Sequence, residues 1–126
     1  MTVHLVRHGQ STWNVEGRLQ GQTVHPELTE RGRREAAEAA ALLRARCPGA
    51  GEDVRLICSD LVRAAQTAAV IGQVLGVIVE QDVALREQGL GVLEGRLTKE
   101  LVPEPTPEGL DITEVRWGGG ESIEDV

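Results

Sequence analysis

Apolar and polar positions alternate along the chain in blocks whose period changes. Thr2 to Val6 carries Val3, Leu5 and Val6 among β-branched neighbours and predicts a short buried strand ending at Arg7-His8-Gly9. Residues 10–28 are polar, hold Gly17, Gly21 and Pro26, and predict a long functional loop. Thr29 is placed to cap a helix running to about Arg46, with Ala36, Ala40 and Leu43 on one face and Pro48-Gly49 beyond its end. A second strand is expected over Val54–Cys58, ending in a turn at Ser59-Asp60.

From there Leu61, Ala64, Ala65, Ala68, Ala69, Gly72 and Leu75 recur at three- and four-residue steps, which predicts an amphipathic helix with small residues for close packing. Gly76 closes it, and Val77-Ile78-Val79 predicts a third strand. Strand and helix in alternation argue for an α/β fold with a mostly parallel sheet and helices on its faces. Beyond Leu85 the signals weaken. Residues 102–111 are rich in Pro and Glu and read as a surface insertion; Gly118, Gly119 and Gly120 read as a flexible joint before a last helical turn.

Composition narrows the class. The 126 residues fit one domain, 1–126, with an aliphatic core: 40% are apolar, with no Phe or Tyr and only Trp13 and Trp117. A net charge of −7 argues against nucleic acid as a partner, because phosphate backbones attract basic surfaces. No apolar run approaches the roughly 20 residues of a membrane span. Cys47 and Cys58 match no metal spacing, no metal site is evident, and no leader peptide is seen; two reduced thiols in a cytoplasmic protein is the expectation.

In an open α/β sheet, ligands bind outside the carboxyl ends of the strands. One such end here carries Arg7 and His8; another carries Ser59-Asp60, with Arg63 on the first turn of the following helix. A helix N-terminus favours anions, so two arginines and a histidine there make a credible phosphate pocket. Taken singly, each has a plainer reading: a histidine that only donates a hydrogen bond, an arginine in a surface ion pair. His4 and His25 are read as structural and loop histidines.

The string Leu5-Val6-Arg7-His8-Gly9-Gln10-Ser11-Thr12-Trp13-Asn14 resembles the signature of the histidine phosphatase superfamily, which includes cofactor-dependent phosphoglycerate mutases and broad phosphatases. The resemblance continues through Arg18, Gln20-Gly21 and Leu28-Thr29-Glu30-Arg31-Gly32. It resumes at Ser59 to Ala68, Leu85-Arg86-Glu87, Gly91, Glu94-Gly95 and Gly120-Glu121-Ser122, in the family's order and spacing.

The resemblance implies a phosphoglycerate mutase-like three-layer sandwich, incomplete at its C-terminal end. It implies that His8 is the nucleophile, with Arg7 and Arg63 neutralising phosphoryl oxygens. Asn14, the only asparagine, would donate to the phosphoryl group. Glu87 would protonate the leaving group and then activate water, a role that needs a carboxyl protonated near working pH, supplied by burial or a neighbouring carboxylate. Thr12, Arg18, Gln20 and Gly21 would line the pocket mouth. No metal or cofactor is called for.

Family members carry a second catalytic histidine in a His-Gly pair after a late apolar strand, which lies between the strands matching 2–6 and 54–58. No such pair occurs here, so a truncated domain is expected: one that still binds phosphate, turns over poorly and leaves sheet edges open, which would allow a homodimer. A phosphatase acting on a small phosphorylated metabolite is the leading expectation. A mutase-type isomerase and a catalytically weak phosphate-binding or scaffolding protein are the alternatives.

Overall fold

The computed structural model describes residues 1–49 and 53–126. In chain order its regular elements are α1 (Thr12–Glu16), α2 (Glu30–Arg46), β1 (Leu56–Cys58), α3 (Val62–Leu75) and β2 (Val79–Gln81), followed by short 3-10 turns. Strands β1 and β2 pair in parallel, Leu56 opposite Val79 and Cys58 opposite Gln81, with α3 as the crossover between them.

The two long helices form where their caps and periodicity place them. The Thr29 side chain accepts a hydrogen bond from the Gly32 amide at the start of α2. Gly76 ends α3 at φ 69°, a left-handed cap. Their facing surfaces bury Ala40, Ile71 and Leu75, with Leu43, Leu56, Val74 and Val77 packed around them. Alanines on α2 and α3 let the helices approach, and burying Ile71 contributes roughly 1.5–3 kcal/mol.

Four expectations need correction. Thr2–Val6 forms no strand: Val3 and Leu5 are 68% and 94% exposed. A strand is made by the backbone it pairs with, and among the described residues none lies beside this segment. Residues 4–8 instead form one wall of an apolar groove of about 620 Å³, whose other walls are Leu56 to Ser59 and the inner face of α3. The third strand begins two residues later than the apolar run, because the Val77 amide is still donating to the Gly72 carbonyl at the helix end.

The polar stretch 10–28 contains α1, with a capping box between Ser11 and Asn14. Gly118–Gly120 is a packed turn and no loose joint. A Cβ at Gly120 would lie 2.1 Å from the Gly89 carbonyl oxygen, and one at Gly118 would lie 2.3 Å from that of Leu90. These glycines exist to let two backbones touch. Residues 102–111 are exposed.

Candidate active site

The segment carrying His8 is held from behind by close backbone approach. Gly9 and Gly32 stand so near that a Cβ on Gly9 would sit 2.2 Å from the Gly32 carbonyl oxygen. The Gly9 amide donates to the Thr67 hydroxyl at 3.2 Å, and that hydroxyl donates to the Arg63 carbonyl at 2.8 Å. The Gln10 amide donates to Glu35 on α2. His8 is thereby tied to both long helices without pairing in a sheet.

The His8 ring is half-buried, and its Nδ1 lies 2.6 Å from the Gly9 carbonyl oxygen. A carbonyl can only accept, so Nδ1 carries the proton and the lone pair of a neutral ring sits on Nε2. Burial is the main influence lowering the His8 pKa below 6.5. The Gly9 hydrogen bond and the Glu87 charge oppose it, and the Arg63 and Arg7 charges reinforce it. The fold therefore favours the unprotonated imidazole at neutral pH, with a lone pair on Nε2.

Arg63 is completely buried at the N-terminal turn of α3. Its guanidinium donates to the carbonyls of Thr23 at 2.8 Å and Gly21 at 2.7 Å, and lies 3.3 Å from Glu87 Oε2. Its Nε is buried and has no acceptor among the described residues. An unpaired donor on a buried cation is costly, and an oxygen acceptor that reached it would relieve that cost.

A cleft of about 360 Å³ opens over this region, lined by Arg7, His8, Asn14, Arg18, Leu19, Gln20, Glu87 and Leu90. Arg63 joins His8, Arg7 and Glu87 in the adjoining groove. Of the nine residues that the sequence nominates, the structure thus brings seven together. Thr12 and Gly21 do not line the cleft. Thr12 opens α1, where its amide donates to Glu27, and Gly21 serves through its carbonyl, which holds Arg63.

Each lining side chain has an identifiable support. Asn14 Oδ1 accepts from the Ser11 amide, which leaves the amide nitrogen as its group free to donate. Gln20 is buried and accepts from Ser11 through Oε1. Arg18 donates to Glu16 and to the Gly95 carbonyl. Glu87 follows Arg86, whose guanidinium forks onto Asp60 at 2.7 and 2.5 Å and so fixes the start of the 86–90 segment. The burial anticipated for Glu87 is absent: its side chain is 52% exposed and faces Arg63, with no neighbouring carboxylate bonded to it.

Sequence reasoning missed Leu19 and Leu90 as cleft residues and gave Glu94 no role. Only the place of Glu94 within a family block signalled it. Among the described residues, no group of three or more His, Cys, Asp or Glu side chains could hold a metal ion, and no helix is long and apolar enough to cross a membrane.

A neutral histidine beside a buried arginine, with further guanidinium and amide donors around one cleft, defines an α/β protein whose site suits an oxyanion. The chain belongs to the histidine phosphatase superfamily, branch 1, whose family model matches residues 3–126. It is 39% identical to the probable phosphoglycerate mutase GpmB of Cronobacter sakazakii, over all of this chain and 58% of that protein. Its structure resembles that of a mycobacterial glucosyl-3-phosphoglycerate phosphatase complexed with VO3 (TM-score 0.76, 36% identity, 94% of this chain and 57% of that one). It also resembles mycobacterial hydrolase 1 (TM-score 0.75, 35% identity, 91% of this chain and 52% of that one). The fold is thus an incomplete phosphoglycerate mutase-like α/β fold, and the chain spans little more than half the length of these relatives.

Proposed function

We propose that this chain is the phosphoryl-binding and nucleophile-bearing part of a phosphomonoesterase that works through a phosphohistidine at His8. The observation that carries the reading is the pairing of a neutral, half-buried His8 with the wholly buried Arg63, whose Nε has no acceptor among the described residues. In the first step His8 Nε2 attacks phosphorus, the bond from phosphorus to the ester oxygen breaks, and that oxygen takes a proton from solvent, relayed by the exposed Glu87. In the second, water attacks the phosphohistidine, Glu87 takes the water's proton, and phosphate leaves with His8 restored. Arg7, Arg63 and the Asn14 amide stabilise the charge on the phosphoryl oxygens throughout.

A mutase-type transfer is the second reading, favoured by the name of the GpmB relatives. Returning the phosphoryl group to a second hydroxyl requires water to be kept from the intermediate. The exposure of Glu87 weighs towards hydrolysis. The names of the relatives share a phosphoglycerate unit, which makes phosphorylated glycerates the first small metabolites to offer. Incubation with 3-phosphoglycerate separates the readings: free phosphate is the expected product, and isomerised phosphoglycerate without phosphate release would replace the phosphatase reading with the mutase one. Binding of phosphate with neither product would leave the scaffolding alternative.

A further inference from the structure

Glu94 does not line the cleft, yet its carboxylate reaches two of the cleft's walls. Oε1 accepts from the Gln22 amide at 2.8 Å and from the Leu90 amide at 3.0 Å; Oε2 accepts from the Thr23 hydroxyl at 2.8 Å. Leu90 lines one wall, and Gln22 and Thr23 follow Leu19 and Gln20 of the other. The contact is close: a Cβ on Gly21, whose φ is 49°, would lie 2.3 Å from Oε1. Gly21 and Thr23 are also the residues whose carbonyls hold the Arg63 guanidinium.

We propose that Glu94 is a positioning residue, one that sets the phosphate-facing arginine indirectly by fixing the 21–23 loop whose carbonyls clamp Arg63. The chain of contacts is short. Glu94 holds two amides and one hydroxyl, the loop so held presents two carbonyls, and these bind two arms of the guanidinium. The third nitrogen, Nε, is left over. Glu94 suits this work because it is ionised. Burial disfavours its charge, but the amides of Gln22 and Leu90, the Thr23 hydroxyl and the Arg63 charge outweigh that and hold its carboxyl below the usual range. Charge-assisted bonds of this kind are stronger than neutral ones. The consequence for turnover rests on the phosphatase reading; the effect on Arg63 does not.

The direct test follows the Arg63 Nε–H signal by nitrogen-15 NMR, assigned by its loss in Arg63→Lys. In Glu94→Ala that proton should exchange with solvent faster by roughly tenfold, the factor that one hydrogen bond is worth. The Ile71 amide in the core should keep its rate. Glu94→Gln, whose carbonyl can still accept both amides but whose NH2 replaces the acceptor of the Thr23 hydroxyl, should give a rate between those of Glu94→Ala and the unmodified protein. Unchanged Arg63 exchange in Glu94→Ala, or equal acceleration at Ile71, would overturn the proposal. Should Glu94→Ala fail to fold, Thr23→Val removes one of the three contacts: faster Arg63 exchange supports the proposal and an unchanged rate overturns it. Inorganic phosphate added to the unmodified protein should move the same signal. A signal that phosphate leaves in place counts against the phosphatase reading alone.

Discussion

Arg63 donates to the carbonyl of Gly21 at 2.7 Å across 42 residues of chain, with none of its side chain exposed. This one contact joins the start of α3 to the loop that follows α1, and it places a cation beside His8. It also decides what substitution at the site should cost.

Replacing Arg63 with Met should leave the Gly21 and Thr23 carbonyls without their donors. Stability should fall by about 1–3 kcal/mol for each such group that water cannot reach. Chemical denaturation measures this. A loss below about 0.5 kcal/mol would show that the buried cation was already costing as much as its bonds return.

The fold lowers the pKa of His8, chiefly through burial, so its proton binds more weakly in the native state than in the unfolded chain. The sign follows from linkage. The unfolded state holds more protons between the lowered native value and 6.5. Stability from this group is therefore present above pH 6.5 and is lost as pH falls through the native value. A proton NMR titration of the His8 ring should give a midpoint below the one it shows in urea, and a midpoint at or above it would contradict the assignment of His8 as the neutral base.

The Gly9–Gly32 contact should be intolerant. Gly9→Ala puts a methyl 2.2 Å from a backbone oxygen that has nowhere to go, whereas Gly17→Ala meets nothing within 4 Å and strains only a φ of 69°. The second change should cost about 1–2 kcal/mol, the left-handed penalty, and the first should cost more, through displaced backbone. Thermal or urea unfolding of the two variants ranks them; equal losses would mean that α2 can shift away from Gly9.

Much of this architecture is legible in the residues. The α2 and α3 helices stand out because apolar spacing, the Thr29 cap and the Gly76 stop agree with one another, and all of that information is local. A strand is different. Thr2–Val6 has the composition of one, but the ladder depends on a neighbour that the segment cannot encode. Helix α1 hides because five residues between Ser11 and Gly17 are too few to show a period; the Ser11–Asn14 capping box was its readable mark. Three successive glycines suggest freedom, yet Gly118 and Gly120 are spent on close approach to 89–91.

The site divides in the same way. Arg7, His8, Asn14, Arg18, Gln20, Arg63 and Glu87 meet around the cleft and its adjoining groove, and five of them come from the single stretch 7–20. The role of Glu94 arises only when 94 is folded against 21–23, a long-range contact that no spacing reveals.

The central claim is that the phosphoryl group passes through His8. The most direct measurement is to incubate the protein with a small phosphoryl donor such as phosphoramidate, then quench and weigh the intact chain. One added phosphoryl group should be seen, labile to acid and stable to alkali, mapped to the peptide carrying His8 and lost in His8→Ala. His25→Ala should keep it. A label that persists in His8→Ala, or that maps to another residue, would contradict the account.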